Sequence, residues 1–420
     1  MVTRGSLMKC TETYEEIKSL IDLCKAGKLF EVQKWIASGK PVNPPPSVSG
    51  YKRKSPLEVA IDLGFHSLVK VLLKGGAEIN EPRYWPLDDA LYKRRLDLVK
   101  LLVDHGADIH SITMASVFDT WQPDIMKWFI EQGGDIETDN PLAYALCNRI
   151  RTALGIFKSY KDRFPSFQKQ ANIALRHHCK EGNLKWVSLM LWAGADPYAK
   201  GPNSWHEDPD PENDQNALEL AAGYEHFDVF NLKKIRLDPT MPELKGILLE
   251  ACHAKNSKFL EKLLKKGFNP GEYENSGTPL IQALLTRMSW YFDFNHWDIW
   301  RTDRTTKRDL DNEESREKIK MIHMLTKHGA RWLPKDRSEI GEARRSLLKM
   351  KADYTVEFIW IMSKHNACKR EDVEELIRTP SIRSLIYEYT ARVNELMKKF
   401  QTNASTVSDE DRDGRKMHLI

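Results

Sequence analysis

The side chains whose types could do chemistry sit at spacings that do not assemble a reaction centre. His177, His178 and Cys179 are adjacent and offer two metal-ligating rings and a nucleophilic sulfur. On a helix, neighbours in sequence face different directions, so the three cannot converge on one ion. The run Glu207-Asp208-Pro209-Asp210-Pro211-Glu212-Asn213-Asp214 sets carboxylates at alternate positions, with Glu219 eleven beyond Asp208, a spacing used by calcium-binding loops. Asn213 stands where such a loop needs glycine and two prolines stiffen the segment, so it reads as a solvated loop able to meet a basic partner. His323 and His328 are five apart and no His-Glu-x-x-His occurs, which leaves a zinc-protease site unsupported. There is no phosphate-binding glycine loop, and no nucleophile, base and orienting acid that spacing brings together. Asp353, Glu357, His365 and Glu371 are available in the C-terminal part, with nothing in the sequence to fix their geometry. The expectation is a non-catalytic chain without metal or cofactor.

Recognition chemistry is better represented. Trp290, Tyr291, Phe292, Phe294, Trp297 and Trp300 stand next to Arg301, Arg304, Lys307 and Arg308. Rings beside guanidinium groups stack bases and pair phosphates, or anchor a protein interface, or pack a loop onto the body of the fold. All three readings remain open at this stage. Asp303, Asp309, Asp311, Glu313 and Glu314 offset the basic charge and count against a phosphate track.

These residues are positioned by a repeated unit. A 21-residue phrase runs from Ala60 to Gly76-Ala77-Glu78-Ile79-Asn80 and again from Ala90 to Gly106-Ala107-Asp108-Ile109-His110. Gly76 and Gly106 are 30 residues apart. Helix-opening phrases occur at Ser55-Pro56-Leu57, Trp85-Pro86-Leu87, Asn140-Pro141-Leu142 and Thr278-Pro279-Leu280, with a proline-free version at Asn216-Ala217-Leu218. Closing phrases occur at Gly133-Gly134-Asp135, Gly194-Ala195-Asp196, Gly267-Phe268-Asn269 and Gly329-Ala330-Arg331 as well. A period near thirty is the mark of stacked helix pairs that cannot bury their apolar faces alone.

Proline at the first helical turn has its φ preset, and the Ser, Asn or Thr before it is expected to cap free amides. Ala60, Ala90, Ala145 and Ala283 would let first helices of neighbouring units approach closely, while Leu98, Leu101 and Leu102 supply a buried stripe on a second helix. The closing glycines are expected to end second helices in the left-handed conformation.

On these phrases the chain resembles the ankyrin-repeat family, over residues 15 to 335. The resemblance implies an all-α solenoid of about nine helix pairs. It also implies a concave groove, lined by loop tips and inner helices, that holds a protein partner. The tip residues expected to do this are Arg83, Tyr84, Trp85, Tyr198, Trp205 and Tyr273, joined by Trp297, Trp300, Arg301 and Arg304 of the aromatic segment. Packing of Trp85 onto its own helix is the competing reading. The runner-up function is a nucleic-acid-associated accessory protein, of the kind found in bacterial defence or toxin systems, using the aromatic and basic segment.

The domain expectation follows the same register. Residues 1–11 form an extension whose Met1 to Ser6 start, followed by Met8, resembles an expression scar. The array occupies 12–335 with insertions near 200–215 and 288–317, a helical cap occupies 336–400, and 401–420 is a polar tail. The cap is expected as helices near 339–365, 370–377 and 380–400. Although 30% of the 420 residues are charged, the net charge is only +4, which leaves no global basic field of the kind that marks nucleic-acid binding. Cys10, Cys24, Cys147, Cys179, Cys252 and Cys368 are scattered without a Cys-x-x-Cys pair, as suits a reducing compartment. No apolar stretch approaches membrane-spanning length, so the expected location is cytoplasmic.

Overall fold

The computed structural model describes residues 10–45, 54–79, 85–212, 214–271, 280–285 and 313–400. Arg83, Tyr84, Tyr273, Trp297, Trp300, Arg301 and Arg304 lie outside the described residues, as do most of the 288–317 segment, the tail and residues 1–9. Among the described residues the structure is helical, with isolated single-residue β-bridges and no strand.

Helices come in pairs. They are α1 (Tyr14–Lys25) with α2 (Leu29–Ala37), α3 (Pro56–Asp62) with α4 (His66–Lys74), and α5 (Pro86–Tyr92) with α6 (Leu96–Asp104). Next come α7 (Met114–Asp119) with α8 (Pro123–Glu131), α9 (Pro141–Cys147) with α10 (Arg151–Tyr160), and α11 (Pro165–Lys180) with α12 (Leu184–Ala193). α13 (Ala217–Gly223) is followed by a 3-10 turn at Phe227–Asn231 where a second helix is expected. Then come α14 (Ile247–His253) with α15 (Ser257–Lys265) and α16 (Leu280–Leu285) with α17 (Glu313–Lys327).

The chain divides into two compact units. One comprises Met1–His177, Ser188–Asp196 and Pro202–Pro209; the other comprises His178–Val187, Pro197–Gly201 and Asp210–Ile420. In the first, α3 packs between α1 and α5 while α4 packs between α2 and α6. First helices therefore form one layer and second helices the other. In the second unit α14 packs between α13 and α16, and α15 packs on α17.

Local chemistry explains the helix ends. Ser55 Oγ accepts from the Glu58 amide at 3.1 Å while the Glu58 carboxylate accepts from the Ser55 amide, a reciprocal cap before Pro56. Asn216 and Glu219 repeat this arrangement on α13. Asn140 departs from the expectation. It takes φ +47° and makes no side-chain cap bond to its own helix. The free amides of Leu142 and Ala143 are capped instead by Gln170 Oε1 of α11, at 2.8 and 3.3 Å. Gln170 is buried, and its Nε2 donates to the Ile136 carbonyl at 2.7 Å.

Second helices close by one recurring bond, in which an amide donates to the carbonyl five residues back across a left-handed residue. It joins Ala77 to Leu72, Ala107 to Leu102, Gly134 to Phe129, Ala195 to Met190, Phe268 to Leu263 and Ala330 to Leu325, all at 2.9–3.2 Å. Gly76, Gly106 and Gly194 sit at φ +85°, +99° and +108°, as their spacing requires. The turns between first and second helices use the same device. There the left-handed residue is Gly64 or Gly182 in some pairs but Arg94, Arg149, Glu225 or Lys255 in others; Trp121 is also left-handed, but at that turn the Gln122 amide donates to Thr120 Oγ1 at 3.2 Å instead.

Ala60, Ala90 and Ala145 are fully buried, as are Leu98 and Leu102, whereas Ala283 is half-buried. Beyond Gly329 the helices are α18 (Arg337–Leu347), α19 (Ala352–Lys364), α20 (Arg370–Arg378), α21 (Pro380–Leu385) and a last one over 390–400. The long helix expected near 339–365 is thus broken at 348–351, and the one near 380–400 at 386–389. α18 and α19 also form a pair that closes like the others. Asn366 takes φ +48° in place of glycine, the Ala367 amide donates to Met362 O at 2.9 Å, and Trp332 bridges to Cys368.

Candidate interaction surface

Three first helices of the first unit bring Asp119, Tyr144 and His177 to one cluster, and the segment after α12 lays Trp205 over them. The Trp205 ring meets Tyr144 edge-on at 5.7 Å, His177 at 6.3 Å and His206 at 5.3 Å. Its carbonyl accepts from Asn140 Nδ2 at 3.0 Å, which is the bond that the unused cap side chain makes instead. Tyr144 Oη donates to both carboxylate oxygens of Asp119, at 3.0 and 3.2 Å. Burial and this carboxylate push the Tyr144 phenol above its ordinary range, so it stays protonated and a donor at neutral pH. Trp205, Tyr144 and His177 are half-buried, leaving part of each side chain exposed.

The other expected contact residues fall in different settings. Trp85 occupies the cap position before Pro86 and is 41% exposed. Tyr198 is half-buried; its hydroxyl donates to the Arg236 carbonyl at 3.0 Å and accepts from the Arg236 amide at 2.9 Å, so it fastens a loop within the second unit.

His177 faces Trp205, His178 is buried and stacks on Trp186 at 5.3 Å, and burial pushes the Cys179 thiol up to about 12. Glu219 spends a carboxylate oxygen on the Asn216 amide at 2.9 Å, and burial raises its pKa. No group of three or more metal-ligating side chains occurs among the described residues. None of the six cysteines is in a disulfide, and every one except Cys10 is buried. Asp353 accepts from Tyr389 Oη, and His365 packs 5.4 Å from His323, which in turn meets Trp360 at 5.6 Å. Burial and the neighbouring His323, Lys364 and Lys327 hold the His365 pKa below its ordinary value.

Reading the sequence missed Asp119, Tyr144 and His177 as members of a cluster with Trp205. Their register gives a partial signal, since Tyr144 and His177 both lie on first helices. The contact between Trp205 and α9 spans more than sixty residues of chain and has none. Among the described residues no helix is long and apolar enough to cross a membrane.

No family profile matches the chain. Solved ankyrin repeat domains overlap about half of it: that of Bcl-3, a member of the IkappaB protein family, at 18% identity over 51% of this chain and 97% of that one, with a TM-score of 0.36. One from Acinetobacter baumannii AYE overlaps at 17% identity over 51% of this chain and 94% of that one, with a TM-score of 0.28. Among curated proteins, the ankyrin repeat and KH domain-containing protein mask-1 of Caenorhabditis elegans is 26% identical over 287 residues. That match takes in 62% of this chain and 10% of mask-1. An ankyrin repeat protein of fowlpox virus (strain NVSL) is 34% identical over 76 residues, 18% of this chain and 17% of that protein. The chain therefore spans a small fraction of either curated relative. Helix pairs opened by proline phrases and closed by left-handed glycines in a thirty-residue register are what the chain has in common with these curated ankyrin repeat proteins, to which it is similar.

Proposed function

We propose that the chain is a non-catalytic protein-binding scaffold or inhibitor that holds a protein partner against the exposed surface of its first helices and adjoining loop tips. The observation that carries this reading is the Asp119, Tyr144, His177 and Trp205 cluster. Half-buried aromatic rings with fixed polar tips are the side chains that dominate protein interfaces, because they bury large area at little conformational cost. Trp85, exposed at the start of α5, extends the proposed contact region, and Arg83 and Tyr84 directly precede it in sequence. Tyr198, Tyr273, Trp297, Trp300, Arg301 and Arg304 are its further proposed members. Scattered cysteines outside disulfides accord with a cytoplasmic setting.

The test is affinity capture by the full chain, with bound proteins identified by mass spectrometry with and without nuclease treatment. Capture that survives nuclease and is lost in the Tyr144→Ala, Trp205→Ala double variant is the expected result. Capture abolished by nuclease would transfer the function to nucleic-acid association.

A further inference from the structure

The turns from first to second helix form the end of each pair remote from the closing loops, and in the first unit this edge carries an unusual set of side chains. Phe30 is 74% exposed and Tyr92 84% exposed, with Leu63, Phe65 and Trp121 also in solvent. The edge is continuous from turn to turn over the first three pairs. The Phe65 ring lies against the Gly27 turn, where an added Cβ would come within 3.3 Å of it. The Arg95 guanidinium reaches back to donate to the Gly64 carbonyl at 3.2 Å. Trp121, at the following turn, adds a second anomaly. It takes φ +61°, a left-handed backbone that is strained for a bulky residue, at a position where other turns use glycine or a long polar side chain. An exposed indole on a strained backbone is unfavourable twice over for the isolated chain.

Charge on this edge is lopsided. Asp62 is engaged by Lys54 and Lys93 and Asp97 by Arg95, so two lysines face one carboxylate there. Among the described residues the side chains of Lys28, Arg94, Arg149 and Arg151 make no hydrogen bond or ion pair, against Glu31, Asp119 and Asp124 on the acidic side. An excess of uncommitted positive charge is thus interleaved with apolar rings.

We infer that this turn edge is a second docking surface, distinct from the first-helix cluster, for an extended acidic peptide segment carrying apolar side chains. Packed helices lie about 8–10 Å apart, so successive turns advance by about that distance. An extended chain rises about 3.3 Å per residue, so about every third residue of the peptide meets a turn. Its apolar side chains cover Phe30, Phe65 and Tyr92, and its carboxylates meet Lys28 and Arg94. One or two cations per turn are too sparse for a phosphate track, which favours peptide over nucleic acid.

The experiment pans a phage-displayed random dodecapeptide library against the full chain, then measures enriched peptides by fluorescence anisotropy. Two variants confined to exposed side chains are compared with the wild type, Phe30→Ser/Tyr92→Ser and Lys28→Glu/Arg94→Glu, each checked for an unchanged thermal transition. The expected result is enrichment of acidic peptides with apolar residues about three apart, whose affinity falls tenfold or more in both variants and weakens as salt rises. Peptides without acidic excess, affinity unchanged in either variant, no enrichment over the carrier, or tighter binding of a twelve-nucleotide polyuridine RNA would each overturn the assignment. The Tyr144→Ala, Trp205→Ala variant should bind these peptides normally, which separates this surface from the first-helix one.

Discussion

Single residues in the left-handed region set where each helix ends, and they differ in how well they suit it. A Cβ added at Gly106 would meet nothing within 4 Å, so Gly106→Ala isolates the backbone cost of φ +99°. It should lower stability by about 1 kcal/mol or more in denaturant unfolding. Arg149 is exposed and holds φ +64° without glycine's freedom, so Arg149→Gly should raise stability by about 0.5–1 kcal/mol. Equal and small effects from both would show that these turns are not under backbone strain. This scale also marks what the sequence could convey. Gly76, Gly106 and Gly194 were legible because glycine at a repeating position has one obvious use. Asn366 was not, since asparagine serves many roles and only the fold reveals it closing α19 in the same conformation.

At the scale of the element, proline starts and alanine contacts were legible because they act within a few residues. The capping of α9 was not, because Gln170 reaches it from 28 residues away. Gln170→Leu should leave two amides and the Ile136 carbonyl without their partner in a buried setting and cost about 1–3 kcal/mol. Ala90→Leu overpacks the buried contact of α5 with α3 and should cost about 1–3 kcal/mol in the same assay. A wild-type midpoint for either variant would mean that its neighbours yield freely. α17 is fastened differently. Hydrogen bonding from Lys255 is the main reason the Glu314 carboxyl is pushed down to about 2, with Lys318 adding to it. A depressed carboxyl contributes stability above its unfolded pKa, near 4.5, and loses it as pH falls toward 2. Glu314→Gln should therefore flatten the acid side of the stability profile between about pH 4.5 and 2. Because the pair is half-exposed, screening keeps the effect below about 1 kcal/mol. An unchanged acid limb would place the acid sensitivity elsewhere.

For the whole molecule, an array of nearest-neighbour contacts provides surface in proportion to its length and needs no single deep core. The helical class was legible from periodicity, but not the extent of the array, because α18 and α19 carry no opening phrase. Part of the interaction surface was legible in the same way: Trp205 stood out as a large ring near a closing phrase. That it rests on Tyr144 and His177 depends on a long return of the chain that no periodicity encodes. The central claim is that this cluster holds a protein. The most direct measurement is quantitative affinity capture by the wild-type chain and by a folded Tyr144→Ala, Trp205→Ala variant, both after nuclease treatment. A defined protein set is expected with the wild type, depleted at least tenfold with the variant, as loss of two interface anchors of roughly 1 kcal/mol or more each implies. The same proteins retained at the same level by the variant would contradict it.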